Sequence, residues 1–218
     1  MDTGITETLY ADYLAALIRG DRLVCADIVK RLLDDGLDVG VLYAQLFQRS
    51  MYEVGEKWES GEIAIATEHL ATSVTESLMP LVYPLVFSRE HLPHTAVVSC
   101  VSDEYHQMGG RMVADIFEMN RWNGYFLGAN TALPELQTLV DEKSPDVVAL
   151  SVSIYSNLPN LEKAITGVRE VRPTIPILIG GQAFLWGGRD IPSRHEGIQL
   201  LTSLSELQRW TREFVSET

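Results

Sequence analysis

The feature that most constrains the fold is a change in hydrophobic periodicity near residue 95. Over residues 4–88 the apolar residues recur at helical spacing, whereas from Thr95 onward short apolar runs alternate with helical segments. Strands separated by helices pair in parallel, because parallel neighbours need a crossover connection. The sequence therefore predicts an α/β protein, with a four-helix bundle over residues 1–88 and a Rossmann-like, doubly wound, five-stranded parallel sheet over residues 95–218.

Glycines divide the first part of the chain into four predicted helices. Gly20 and Gly36 each follow a helical run, and Gly61 follows a third, which fits the preference for glycine just past a helix end. Asp38 is placed to cap the third helix, and helices joined by such short loops predict a bundle. The polar, proline-bearing segment 88–94 is the predicted linker.

The second part of the chain alternates between predicted strands and helices. The predicted strands cover residues 95–102, 124–128, 146–153, 175–179 and 198–201, and the predicted helices cover residues 111–120, 133–143, 158–171 and 205–215. The first and third of these strands are mostly apolar, as expected for strands buried on both faces of a parallel sheet.

A histidine stands where the first predicted strand turns into a helix. The pattern is Glu104-x-His106-x-x-Gly109. In an open parallel sheet this turn lies at the carboxyl end of the strand, where ligands bind, and a glycine lets a bulky group approach the backbone. The glycine-rich dinucleotide fingerprint is absent, so we expect a ligating side chain rather than a phosphate cradle. Glu104 either orients His106 or caps the following helix.

Two further segments complete this pattern. The third predicted strand ends in small hydroxyl residues, Ser151 and Ser153, and the fourth ends in the pair Gly180-Gly181. In this order, the three segments resemble those of cobalamin-binding domains. The resemblance implies that His106 ligates cobalt from the lower face. It also implies that the serines line a channel for the nucleotide tail and that the glycine pair gives the tail room to pass.

The bundle carries a second resemblance. Trp58 is followed, after nine residues, by Glu68-His69, which resembles the Trp-x9-Glu-His signature of the adenosylcobalamin-dependent photoreceptors, a family that includes light-responsive transcriptional repressors. The resemblance implies that the bundle caps the upper face of adenosylcobalamin. An adenine ring gains about 1–3 kcal/mol by stacking on an aromatic side chain, which Trp58 would supply. Glu68 would accept from the ribose hydroxyls, with His69 as a further polar contact.

One position departs from the photoreceptor pattern and keeps an alternative open. Those repressors have a histidine after the tryptophan, which can ligate cobalt once the adenosyl group is lost, whereas this chain has Glu59. Carboxylate is a weaker ligand than imidazole for a nitrogen-preferring metal, so His69, Glu59 or water would take the upper site. Glu59 suits the alternative, a corrinoid carrier of a methyltransferase system that binds methylcobalamin. A mutase subunit is disfavoured because the sequence shows no catalytic barrel.

Charge narrows the expected partners. The chain has 30 acidic and 17 basic residues, a formal net charge of −13, and so repels phosphate backbones and anionic lipid. We expect no direct binding to nucleic acid or to membranes. The sequence shows neither a signal-peptide pattern nor a run long and apolar enough to span a bilayer, so a cytoplasmic protein is expected.

The expected function is therefore a cobalamin-dependent photoreceptor acting in transcription regulation, and not an enzyme. The resemblance implies that light cleaves the cobalt–carbon bond and that the packing or homo-oligomerisation of the bundle then changes. The sequence shows no DNA-binding domain, so the signal is expected to pass to a protein partner or to an output domain outside these residues.

The remaining cysteines and tryptophans are predicted to be packing residues. Cys25 and Cys100 lie inside a helical and a strand pattern, so they are expected to be buried thiols rather than a disulfide or a metal pair. Trp122, Trp186 and Trp210 are expected to lie in the core.

Overall fold

The computed structural model describes residues 4–87 and 90–217. Within it the chain divides into two compact units, with the division between Val86 and Phe87. Part of the predicted linker, Ser88 and Arg89, lies outside the described residues.

The first unit is built of helices. They are α1 (Glu7–Ile18), α2 (Arg22–Asp34), α3 (Val39–Leu42), a π-helical turn (Tyr43–Gln48), α4 (Arg49–Glu59), α5 (Ile65–Leu78), a 3₁₀ turn (Met79–Val82) and α6 (Tyr83–Val86). The third predicted helix is thus one continuous run from Val39 to Glu59. The fourth tightens into a 3₁₀ turn at Met79, where Pro80 lacks the N–H that an α-helix needs.

Helix capping and the burial of large side chains both stabilise this unit. The Asp38 carboxylate accepts a hydrogen bond from the Val41 amide and so caps α3, as predicted. Large side chains on several helices are fully buried, among them Tyr13, Leu42 and Phe47. Each stabilises the unit by about 1.5–3 kcal/mol relative to an exposed side chain.

In the part of the chain that the structure describes, no helix is both long enough and apolar enough to cross a bilayer.

The second unit is a five-stranded parallel sheet covered by helices. Its strands are β1 (Thr95–Cys100), β2 (Asn123–Phe126), β3 (Val147–Ser151), β4 (Ile177–Gly180) and β5 (Ile198–Leu200). Its helices are α7 (Met108–Met119), α8 (Leu133–Lys143), α9 (Leu158–Val171), α10 (Ile191–Arg194) and α11 (Leu204–Glu217). The predicted fold class is confirmed.

The order of the strands reverses direction between β1 and β3. The order is β2-β1-β3-β4-β5, with every pair parallel. The chain therefore leaves β1 toward one side of the sheet and leaves β3 toward the other. In open parallel sheets, ligands bind outside the carboxyl ends of the strands at such a reversal. The loops after β1 and β3 carry Glu104, His106 and Ser153.

The core of the second unit lies on both faces of its central strands. Every residue of β3 is buried, as its apolar sequence predicts. Trp122 is fully buried and packs on Trp210 and Phe214, with ring centroids 6.0 and 5.1 Å away. The expectation for Trp186 is wrong, since this residue is 69% exposed. It caps the C-terminal end of a short 3₁₀ turn, Gln182–Leu185, that follows β4.

Candidate functional site

The site in the second unit centres on a buried carboxylate and an exposed imidazole. Glu104 has no exposed surface, whereas the side chain of His106 is 57% exposed. Both lie in the loop between β1 and α7. Oε1 of Glu104 accepts hydrogen bonds from Nδ1 of His106 at 2.6 Å and from the His106 amide at 3.0 Å.

The other oxygen of Glu104 binds the loop after β3. Oε2 accepts from the amides of Ser153 and Ile154 at 2.8 and 2.9 Å. Burial alone would raise the pKa of Glu104, but the hydrogen bonds from His106 and from these amides lower it further than burial raises it, to about 2. Glu104 is therefore a carboxylate at neutral pH and ties together the loops after β1 and β3.

The carboxylate determines which nitrogen of His106 carries the proton. An ionised carboxylate can only accept, so Nδ1 donates to Oε1 and the lone pair of the neutral ring lies on Nε2. Metal-ligating histidines typically donate their other N–H to a carboxylate in this way. Of the two roles considered for Glu104, the structure shows the orienting contact. The residue that caps α7, Gln107, makes no capping hydrogen bond through its side chain.

The glycines near the Glu104–His106 pair differ in how closely other atoms surround them. A Cβ at Gly109 would meet only the hydroxyl of Ser151, 3.9 Å away, so open space surrounds this glycine. Ser151 is itself buried at the end of β3. Gly181 is crowded, since a Cβ there would lie 2.0 Å from the carbonyl oxygen of Val152, and its φ is +121°. A Cβ at Gly180 would lie 2.9 Å from the carbonyl oxygen of Leu201.

The second unit fits a corrinoid in two observable respects. The donor available at His106 is an imidazole nitrogen held in the metal-binding tautomer, and imidazole suits the nitrogen-preferring cobalt centre. The uncrowded Gly109 leaves room beside that donor. Close packing of the backbone alone explains why residues 180 and 181 are glycines, because a side chain at either position would meet a neighbouring carbonyl group.

The predicted residues of the first unit lie on two packed helices. Trp58 is on α4 and is 44% exposed, and α4 packs against α5. Glu68 lies in the first turn of α5 with 19% of its side chain exposed, and Oε1 accepts from the Thr72 hydroxyl at 3.0 Å. Nε2 of His69, whose side chain is 72% exposed, lies 3.6 Å from Oε2 of Glu68. Glu59 is exposed at the end of α4.

Sequence reasoning missed three asparagines that contact the histidine loop. Asn130 follows β2, and Asn157 and Asn160 follow β3. Each donates or accepts hydrogen bonds with backbone or side-chain atoms of residues 102–105. Their only signal in the sequence is their position just after strands, where a parallel sheet gathers its loops.

The two cysteines are buried free thiols. Burial raises the pKa of Cys100 to about 12 and that of Cys25 to about 11. This is the behaviour expected of packing residues.

Comparison with known families gives a B12 binding domain for each of the two units. One B12 binding domain family matches residues 9–83, and a second B12 binding domain family matches residues 94–190. It is 26% identical to the HTH-type transcriptional repressor CarH of Myxococcus xanthus over 179 residues, which cover 81% of this chain and 58% of the repressor. The chain therefore spans less than two thirds of that relative.

Corrinoid proteins are also similar to this chain. Trimethylamine corrinoid protein 1 of Methanosarcina acetivorans is 21% identical over 180 residues, covering 80% of this chain and 83% of that protein. The solved structure of the monomethylamine corrinoid protein of Methanosarcina barkeri superposes with a TM-score of 0.82 at 14% identity, covering 96% of this chain and 100% of that chain. At that identity the likeness shows the fold.

Proposed function

From the premise that the chain belongs to the B12-binding-domain family and binds cobalamin, we propose that it is a light-sensing module for adenosylcobalamin. The Glu104–His106 pair supports the part of this proposal that concerns the lower face of cobalamin. Nε2 of His106 would be the ligand to cobalt, and Glu104 holds the ring in the ligating tautomer. Ser151 and Ser153 would line the path of the displaced nucleotide tail, and Gly180 and Gly181 would give the tail room. Gly109 leaves open space for the approach of the corrinoid.

The residues of the first unit support the choice of the adenosyl form. Trp58 is a tryptophan on a helix that is 44% exposed, and Glu68 is a partly exposed carboxylate able to accept from hydroxyl groups. A methyl group offers neither a ring nor a hydroxyl, so these side chains are useful only against a nucleoside. When bound, adenosylcobalamin supplies a cobalt–carbon bond that light can break.

The response of the chain then follows from its own residues. Once the nucleoside has left, Trp58 and Glu68 lose the groups that they bind, and an exposed apolar ring on α4 becomes costly to leave in water. The packing or self-association of the helices changes in response. His69, whose side chain is 72% exposed, Glu59 or water would take the place of the nucleoside. The signal passes to a protein partner or to an output domain.

A corrinoid carrier is the second candidate. It is favoured by Glu59, which replaces the histidine of the photoreceptor signature, and by the sequence similarity to trimethylamine corrinoid protein 1 of Methanosarcina acetivorans. In that case His106 has the same role, and the partner is a methyltransferase that carries out the reaction.

Affinities for two cobalamins separate the candidates. The purified chain is titrated in the dark with adenosylcobalamin and with methylcobalamin, as wild type and as Trp58→Ala. Trp186→Ala is the matched control, because this tryptophan is also exposed but lies in the second unit after β4. The sensor proposal predicts a preference for adenosylcobalamin that Trp58→Ala reduces by about ten- to a hundred-fold. The control keeps that preference.

Green light provides the second arm of this experiment. The absorption spectrum of the adenosylcobalamin complex should change on illumination, and the hydrodynamic size or the helix protection should change with it. Equal affinity for the two cobalamins, unaltered by Trp58→Ala, would leave the methyl carrier as the better account.

A further inference from the structure

We propose that residues 90–94, called the strap, are fastened to the rest of the second unit in a proton-dependent way, with His91 as the group that titrates. The strap is the stretch of chain that leads from the first unit into β1. A doubly protonated His91 holds the strap against α7 and β2, and the loss of one proton releases it. This inference goes beyond the proposed function and does not depend on it.

Backbone hydrogen bonds hold the strap against the turn between α7 and β2. The Leu92 amide donates to the Arg121 carbonyl at 2.6 Å, and Nε of Arg121 donates to the Glu90 carbonyl at 3.1 Å. The His94 carbonyl accepts from the Asn123 amide at 2.9 Å. The strap therefore lies along this turn, directly before the sheet ladder of β1 begins.

The turn that receives the strap has an unusual backbone. Arg121 has a φ of +66°, in the left-handed region that residues other than glycine seldom adopt. Both its carbonyl and its guanidinium group make hydrogen bonds to the strap. The strap therefore helps to hold Arg121 in this conformation, and its release would be felt at the turn as well as in the strap.

His91 lies between a neutral acceptor and a carboxylate, with 27% of its side chain exposed. Nδ1 lies 2.7 Å from Oδ1 of Asn123, and Nε2 lies 3.3 Å from Oε2 of Glu118. The other oxygen of Glu118 accepts from the Gly124 amide at 2.8 Å, which fixes the carboxylate. Oε2 is buried, and the described residues give it no hydrogen bond of regular geometry. The imidazole is thus the group placed to neutralise this oxygen.

Only the doubly protonated ring satisfies both neighbours. Nδ2 of Asn123 donates to the His94 carbonyl at 3.1 Å, so the amide is held with Oδ1 toward His91. A neutral ring with its proton on Nδ1 turns the lone pair of Nε2 toward the Glu118 carboxylate. A neutral ring with its proton on Nε2 turns the lone pair of Nδ1 toward Oδ1 of Asn123. The imidazolium form donates at both nitrogens.

Other charged or titratable groups around the strap are Glu90, Arg121, His94 and Asp146. Arg121 pairs with Glu90, with a nitrogen–oxygen distance of 3.6 Å. Nδ1 of His94 lies 3.9 Å from Oδ2 of Asp146, and its ring packs on Trp122 with centroids 4.8 Å apart. The contact of His94 with α11 is apolar, through Phe214. His94 is therefore a second imidazole in the strap, and its titration needs a control.

Release of the strap would lengthen the free chain between the two units. Histidine changes its charge between about pH 5 and 8, so the strap is fastened in a mildly acidic medium and released in an alkaline one. His91 precedes the start of β1, whereas the loop that carries His106 follows its end. The proton acts at the opposite end of this strand from the histidine loop, and the test can leave cobalamin out.

The test measures how well the Leu92 amide is protected from hydrogen exchange, by NMR on the full chain. Protection factors, which correct for the intrinsic effect of pH on exchange, are compared at about pH 5.5 and about pH 8. In the wild type the factor should fall by about ten- to a hundred-fold as the pH rises, because the strap loses a hydrogen bond to a charged group. The Val148 amide, which donates to the Pro176 carbonyl in the sheet, is the internal standard and should keep its protection.

Glu118→Gln is the decisive variant. Its carboxamide oxygen can keep the hydrogen bond from the Gly124 amide, which leaves an N–H group toward Nε2 of the neutral ring. Leu92 should then be protected equally at both pH values. His94→Phe is the matched control, since it keeps an aromatic ring beside Trp122 but cannot titrate, and it should show the same fall as the wild type. His91→Ala should lack the additional protection at both pH values.

Three outcomes would overturn the proposal. A fall in protection that persists in Glu118→Gln would show that the pair with His91 is not its cause. A fall that disappears in His94→Phe would assign the titration to the other imidazole of the strap. Full protection of Leu92 in the wild type at about pH 8 would exclude a proton as the fastening group, and its loss on addition of EDTA would show that a metal ion joins His91 to Glu118.

Discussion

Nδ1 of His106 donates a 2.6 Å hydrogen bond to Oε1 of Glu104, whose carboxylate has no exposed surface. The ring is more than half exposed, and the group that orients it is fully buried. This relationship lets one side chain face a ligand while its geometry is set from inside the protein.

Glu104→Gln should destabilise the second unit. The carboxylate accepts from the Ser153 and Ile154 amides and from His106. A carboxamide presents an N–H group to one of these donors and leaves it unsatisfied. A buried unsatisfied group costs about 1–3 kcal/mol, so the free energy of unfolding should fall by that amount in denaturant titrations. Glu62→Gln is the control, since the Glu62 side chain is 61% exposed and its loss should change little.

The same carboxylate should make stability depend on acid. Its pKa is about 2 in the folded chain, against an ordinary value of 4.5. A depressed pKa stabilises the folded state above about pH 4.5, and that contribution is lost as the pH falls toward about 2. Its full size is on the order of 3 kcal/mol. The unfolding free energy of the wild type should fall through this window more steeply than that of Glu104→Gln. Parallel slopes would contradict this assignment.

Gly181→Ala should strongly destabilise the second unit. The added Cβ would lie 2.0 Å from the Val152 carbonyl oxygen, at a φ of +121°. Backbone strain of this kind costs about 1–3 kcal/mol before the steric clash is counted. Thermal unfolding measures the loss. Gly55→Ala is the control because a Cβ there meets nothing within 4 Å, and it should be neutral or slightly stabilising in the middle of a helix.

Gly109→Ala should separate stability from binding. The new Cβ would meet only the Ser151 hydroxyl at 3.9 Å, an ordinary contact, so the unfolding temperature should not fall. Under the proposed function the same methyl group occupies space beside His106 that cobalamin needs. We expect weaker retention of cobalamin on a desalting column. Unchanged retention would mean that the ligand does not approach this glycine.

The regular elements could be predicted because their signals are local. The boundaries of α8 and α9 match the prediction to the residue, since proline near the start and the spacing of apolar residues fix them. Burial on both faces made β1 and β3 recognisable. The exposed position of Trp186 could not be predicted, because an apolar side chain in a loop has the same composition signal as one in a core.

The hydrogen-bond partners of Glu104 could not be predicted from the sequence, for a different reason. Its motif left open whether it orients His106, two residues away, or caps the next helix, and gave no sign that Oε2 accepts from amides 49 and 50 residues further along the chain. Asn130, Asn157 and Asn160 also join the histidine loop to segments that only the order of the strands brings near. Such contacts depend on the register of β1 against β3, which the residue pattern alone does not set.

EPR of the cob(II)alamin complex, prepared with ¹⁵N-labelled histidine and unlabelled cobalamin, tests the central claim most directly. If His106 is the ligand, the nitrogen splitting should be a triplet in the unlabelled protein and a doublet in the labelled one, because the two isotopes have different nuclear spins. His106→Ala should lose the isotope effect. A triplet that persists in the labelled wild type would show that cobalamin keeps its own benzimidazole as the ligand, and would contradict the account.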